Sequence, residues 1–124
     1  MDELILVVDD AKFARVVAVR ALQNGGYNNI IEAGTAAEAV ELFSSRKPEL
    51  TLLDITLPDS HNLNLLKKLL ELRPDAKVIM NSAISQDLII MDALEIGAKD
   101  FIAKPFTEDT FLRSVRTVMK SEEC

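Results

Sequence analysis

The chain has a single cysteine, Cys124, and it is the last of 124 residues. No internal disulfide can form, which points to a reducing compartment. No apolar run approaches the roughly 20 residues that cross a bilayer. The acidic start, Met1-Asp2-Glu3, lacks the basic-then-apolar layout of a signal peptide. A cytoplasmic protein with no membrane contact is expected. Basic residues are in the minority, 14 Lys and Arg against 20 Asp and Glu, for a net charge of −6. A nucleic-acid surface would need a basic patch, so direct nucleic-acid binding is not expected. Repeats, low-complexity tracts and linkers are also missing. What remains is an ordinary globular composition, 48% hydrophobic and 27% charged. The length suits one domain, residues 1–124, able to bury about 65% of its unfolded surface without a disulfide or metal staple.

Within that length short apolar runs recur: Leu4–Val8, Asn29–Ile31, Leu50–Leu53, Lys77–Met80 and Phe101–Ala103. The segments between them carry helical spacing. Phe13, Val17 and Ala21 stand four apart, as do Val40 and Ser44, Leu66 and Leu70, and Phe111 and Val115. Punctuation agrees. Gly25-Gly26 and Gly97 suit helix ends, where a left-handed residue is wanted, and Pro74 closes the third helix. Thr35-Ala36-Ala37-Glu38 has the form of a capping box, and Ser85 and Thr107 suit N-caps of the fourth and fifth helices. Strands alternating with helices imply a parallel sheet covered on both faces. The expected fold is α/β: a flavodoxin-like, doubly wound, five-stranded parallel sheet in the order 2-1-3-4-5 with five helices. Half of a Rossmann fold is the structural alternative.

In an open sheet of this kind ligands bind beyond the carboxyl ends of the strands, where the strand order reverses. After the first strand comes Asp9-Asp10, after the third Asp54, after the fourth Ser82-Ala83, and after the fifth Lys104-Pro105. Ala33-Gly34, after the second, bring no reactive group. In the order 2-1-3-4-5 the four chemically loaded ends are contiguous. Carboxylates so close would either share protons or hold a cation. Oxygen-only ligands with no Cys or His nearby favour a hard ion, Mg²⁺ or Mn²⁺. With a lysine and a hydroxyl opposite the metal, the cluster suits phosphoryl transfer, and an Asp carboxylate can itself be the nucleophile.

Val7-Val8-Asp9-Asp10, Leu52–Pro58 around Asp54, Ser82-Ala83, and Gly97–Phe106 around Lys104 together resemble the receiver domain of two-component response regulators, over essentially the whole chain. The resemblance implies that Asp54 accepts a phosphoryl group from a phosphohistidine on a sensor histidine kinase or phosphotransfer protein. It implies that Asp10 ligates Mg²⁺ directly, that Asp9 helps through water, and that the backbone carbonyl of Thr56 completes the protein ligands. Ser82 would hydrogen-bond the phosphoryl group and Lys104 would pair with it. Phe101 would be the switch aromatic, moving as Ser82 moves, so that the surface of the fourth helix, fifth strand and fifth helix recruits a downstream target or a phosphatase. The family usually joins Lys and Pro by a cis bond. Such a protein is a signalling monomer or weak phosphorylation-dependent dimer, not an enzyme with a separate substrate; it catalyses only its own phosphorylation and dephosphorylation.

This chain departs from the family at Ser60-His61-Asn62, where an Asp-Gly pair is usual and Asn62 takes the glycine position. Phe101 stands where Tyr is common, and Ile84 brings no carboxamide or carboxylate to help water attack. Phosphatases of the haloacid dehalogenase type fit less well, because they want a second acid two residues after the nucleophile and here that residue is Thr56. Flavodoxin-like nucleotide binding wants a Gly- or hydroxyl-rich loop after the first strand, and Asp9-Asp10-Ala11-Lys12 would repel phosphate without a metal. A degenerate, interaction-only receiver would not need the intact acid trio, Ser82 and Lys104. His61, a lone loop histidine, is expected to be exposed rather than a metal ligand or pH sensor. The leucines of 63–72 supply core and one outer patch. Leu88-Ile89-Ile90-Met91 cannot all face inward, so the fourth helix should expose apolar surface.

Overall fold

The computed structural model describes residues 3–54, 57, 59, 63–83 and 87–120. Thr56, Ser60, His61, Asn62, Ile84 and Ser85 lie outside the described residues, and so do the expectations attached to them. The elements are β1 Ile5–Val8, α1 Lys12–Asn24, β2 Ile30–Ala33, α2 Ala36–Arg46, β3 Leu50–Leu53, α3 Asn64–Leu72, β4 Lys77–Ser82, α4 Asp87–Ile96, β5 Asp100–Ala103 and α5 Glu108–Lys120. All strand pairs are parallel and the order is β2-β1-β3-β4-β5, as the alternation implied. Among the described residues no helix is long and apolar enough to cross a membrane.

The central strands β1 and β3 are buried on both faces, which fits the unbroken apolar run of β1 and the leucine-rich β3, where Thr51 is the one polar residue and is buried. Successive side chains go to opposite faces. Ile5, Val7, Leu50, Leu52, Ile79 and Ile102 meet Ala18, Leu22, Phe111 and Val115 of α1 and α5. Leu6, Val8, Leu53, Val78 and Met80 meet Ala39, Phe43, Leu66, Leu69 and Ala93 of α2, α3 and α4.

Local details refine the sequence reading. β2 lies one to two residues later than the apolar run Asn29–Ile31, and β4 runs on to include Ser82. Gly25 closes α1 at φ −88°, and the left-handed residues are Gly26 (φ 96°) and Gly97 (φ 136°). Glu38 N–H donates to Thr35 Oγ1 at 3.1 Å, as a capping box requires, but Glu38 Oε1 accepts from Gly34 N–H rather than from Thr35. The first amides of α2 are taken instead by Asp59, from the loop after β3: Ala36 N–H donates to Oδ1 at 2.7 Å and Ala37 N–H to Oδ2 at 3.2 Å. Thr107 Oγ1 accepts from Thr110 N–H at the start of α5. Phe13 is 80% exposed and Val17 partly so, although both share a four-residue spacing with the buried Ala21; the inward positions belong to Ala18, Ala21 and Leu22.

Candidate functional site

The ladder hydrogen bonds continue one residue beyond the strands, and this aligns the site. Val8 is level with Ala33 and Leu53, and Ser82 with Ala103. Asp9 N–H then donates to Ala33 O, Asp54 N–H to Val8 O, and Lys104 N–H to Ser82 O, each at 3.0 Å. Asp9, Asp54 and Lys104 are thus the first residues past β1, β3 and β5, with their backbones still held by neighbouring strands. They follow Val7, Leu52 and Ile102 by two, so their side chains leave the sheet on the same side.

That placement brings charge together. Lys104 Nζ donates to Asp9 Oδ2 and, at 3.3 Å, to Asp54 Oδ2. One carboxylate oxygen from each of Asp9, Asp10 and Asp54 lies within 4.8 Å of the others. The Asp9 and Asp54 side chains are only 7% and 5% exposed, whereas Asp10 is open to solvent. Both oxygens of Asp9 are engaged, because Oδ1 accepts from Ala11 N–H at 2.9 Å. Three carboxylates against one ammonium leave a net formal charge of −2 at a partly buried point. An all-oxygen donor set carrying that charge fits a hard divalent cation, which would balance it.

Ser82 ends β4 and is fully buried. Phe101 is level with Met80, two residues before Ser82, so Ser82 and Phe101 share the sheet face covered by α2, α3 and α4. Phe101 is half-buried against that core. The Lys104–Pro105 peptide is cis. Exposed apolar residues cluster on α4, where Leu88 is 75% and Met91 56% exposed, with Leu94 one turn further on.

Arg15 lies outside every motif of the sequence. From α1 its Nη1 donates to the carbonyl of Asp9 at 2.5 Å, and its Nε pairs with Glu32 Oε1 at 3.0 Å. The end of β2 therefore meets the acid loop directly through Ala33 O, and by way of Arg15 through Glu32. An arginine one turn and a half beyond an acid is an ordinary helix-surface pattern, and only the register of β2 gives it meaning.

A parallel sheet in this order, with an acid trio and a lysine at the reversal point, defines a receiver-type α/β domain. The family model described as the response regulator receiver domain matches residues 5–116, and the chain belongs to that family. It is a CheY-like receiver of two-component signalling. It is 43% identical over 115 residues to Protein CcdB of Bacillus subtilis, covering 93% of this chain and 96% of the relative. It is 37% identical over 119 residues to the chemotaxis protein CheY of the same organism, covering 96% and 99%. Among solved structures, a CheY-like receiver domain protein from Methanospirillum hungatei superposes with a TM-score of 0.90 at 29% identity, covering 98% and 96%. A chain of the CheX–CheY–BeF3–Mg²⁺ complex from Borrelia burgdorferi superposes with a TM-score of 0.89 at 32% identity, covering 94% and 88%.

Proposed function

We propose that this chain, as a single receiver domain over residues 1–124, takes a phosphoryl group from a phosphohistidine of a sensor kinase or phosphotransfer protein onto Asp54. The observation that carries the reading is the convergence of Asp9, Asp10 and Asp54 within 4.8 Å, with Lys104 bridging two of them. A carboxylate oxygen of Asp54 forms the new P–O bond as the donor's P–N bond breaks, and the electron pair leaves with the imidazole, which takes up a proton. Asp10 holds Mg²⁺ (or Mn²⁺) directly, a role its exposure to solvent supports. Asp9, with both oxygens already engaged, acts through water, and the carbonyl of Thr56 supplies a further ligand. Bound there, the metal supplies charge neutralisation for the phosphoryl oxygens. Lys104 moves from the carboxylates to the arriving phosphoryl group, giving a charge-assisted contact.

Ser82 binds another phosphoryl oxygen, and Phe101, on the same sheet face, follows it. The surface of α4, β5 and α5 then changes its population of states and binds a target protein or phosphatase. The exposed Leu88, Met91 and Leu94 supply the apolar anchor of that surface. The protein works in the cytoplasm, as a monomer or a weak dimer when phosphorylated, and catalyses no reaction beyond its own phosphorylation and dephosphorylation. Chemotaxis is one such setting, since relatives of this length carry that name.

Acetyl phosphate with Mg²⁺ tests the reading directly. The intact protein should gain the mass of one phosphoryl group, and Asp54→Asn should gain none. Full labelling of the Asn variant, or no labelling of the parent, would refute it.

A further inference from the structure

We propose that Arg15 is a positioning residue for the metal site, acting as a brace between the acid loop and the end of β2. The inference rests on the metal-binding reading above. Arg15 is the one side chain described that bonds both the Asp9 carbonyl and Glu32. Its side chain is 18% exposed, while that of Glu32 is 45% exposed. Gly34 borders the same space: a Cβ added there would stand 3.1 Å from Nη1, so the turn after β2 leaves room for the guanidinium.

The consequence follows from peptide planarity. Fixing the Asp9 carbonyl oxygen fixes the plane of the Asp9–Asp10 peptide, and with it ψ of Asp9 and the direction in which the chain enters the Asp10 Cα. The Asp9 side chain is already held by Ala11 N–H and Lys104. Asp10 is exposed, so its aim toward a cation depends on the backbone that carries it. The fork geometry of arginine lets one side chain hold two partners at once, and a lysine could not reproduce both bonds. Glu32 in turn holds the guanidinium in place. Partners that orient ligand residues in this way typically change metal affinity by about 10–100-fold when removed.

Calorimetric titration of the full chain with Mg²⁺, without phosphodonor, separates this role from plain electrostatics by sign. Arg15→Met removes a positive charge near the acids, so electrostatics alone would tighten Mg²⁺ binding. The brace predicts the reverse, an affinity about tenfold weaker, at the low end of that range. Glu32→Gln, a change at an exposed side chain, should weaken binding about threefold, because the fork keeps its carbonyl contact but loses its ion pair. Acetyl phosphate labelling of both variants should lag at low Mg²⁺ and recover at saturating Mg²⁺. Parent-like or tighter Mg²⁺ binding by Arg15→Met overturns the proposal. If that variant fails to fold, parent-like binding by Glu32→Gln does so. Absence of Mg²⁺ binding by the parent would refute the metal-binding reading itself, a different result from a parent that binds and variants that bind equally well.

Discussion

Replacing Lys104 by Met should separate two roles of one side chain, because the same ammonium stabilises the metal-free fold and competes with the metal. Asp9 and Asp54 are 7% and 5% exposed, and both bond Lys104 Nζ. Removing one partner of a fully buried pair typically costs about 3–5 kcal/mol. Lys104 is 20% exposed at an open cleft, so solvent screens part of that cost, and about 2 kcal/mol is the reasonable figure. A chain of 124 residues unfolds with an entropy of about 0.26 kcal/mol per degree. The metal-free variant should therefore melt about 8 °C below the parent.

Magnesium should act in the opposite sense. At a concentration tenfold above its dissociation constant it adds about 1.4 kcal/mol to the parent, or about 5 °C. Without Lys104 the acid trio carries one more unbalanced negative charge, so the cation should bind tighter and the rise should be larger. A tenfold gain in affinity adds roughly another 5 °C. Circular dichroism melts of parent and variant, with a chelator and with fixed Mg²⁺, give all four temperatures. An unchanged melting temperature without metal, or a Mg²⁺-induced rise no larger than the parent's, would refute the reasoning.

Asp59 holds Ala36 N–H above all, and Ala37 N–H as well, and these bonds keep its carboxyl below the ordinary 3.8. Its contribution is thus present above that value and lost as pH falls through the depressed folded pKa. Asp59→Asn should melt below the parent at pH 7, with the gap closing in acid; a gap independent of pH would count against the carboxylate's role. Burial pushes the hydroxyl of Tyr27 above its ordinary 10.0, with Arg116 opposing and Glu3 adding to the shift. The fold should lose stability as pH rises past 10.0 and the unfolded chain ionises first. Tyr27 is the sole tyrosine, so tyrosinate absorbance should rise together with unfolding rather than before it. Leu66 is fully buried between α3 and the sheet, and Leu66→Ala should cost about 3 kcal/mol, read as a lower urea midpoint at unchanged slope.

The fold was legible because local patterns agreed with the global one. β1 and β3 are buried on both faces because helices cover both, and Gly26 and Gly97 mark turns that need positive φ. The convergence of Asp9, Asp10, Asp54 and Lys104 was legible for a related reason: strand-end residues need only the strand order to be gathered. What escaped depends on register and on competition between apolar faces. Helix α1 carries Phe13, Ala14, Val16, Val17, Ala18, Ala21 and Leu22, apolar nearly all round, so spacing alone allowed more than one inward stripe. The small Ala18 and Ala21 let the helix approach the sheet, and Phe13 was left outside. The cap on α2 escaped because its acid, Asp59, lies 23 residues from Ala36 and arrives from another loop.

The same distinction explains how the site is built. The strand ends that carry reactive groups, after β1, β3, β4 and β5, are held by ladder bonds that the sheet provides whatever the side chains are. Those bonds set where each backbone begins its turn, but not how Asp9 and Asp10 point once the chain has left the sheet. That orientation needs further partners, and Arg15 of α1 together with the edge strand β2 supplies them. Ala33 O receives the Asp9 amide, and Glu32 holds the arginine that fixes the next carbonyl. The end of β2 is therefore coupled to the acid loop once directly, through Ala33 O, and once through Arg15, so on the brace proposal a change at the exposed Glu32 should be felt at the acid cluster.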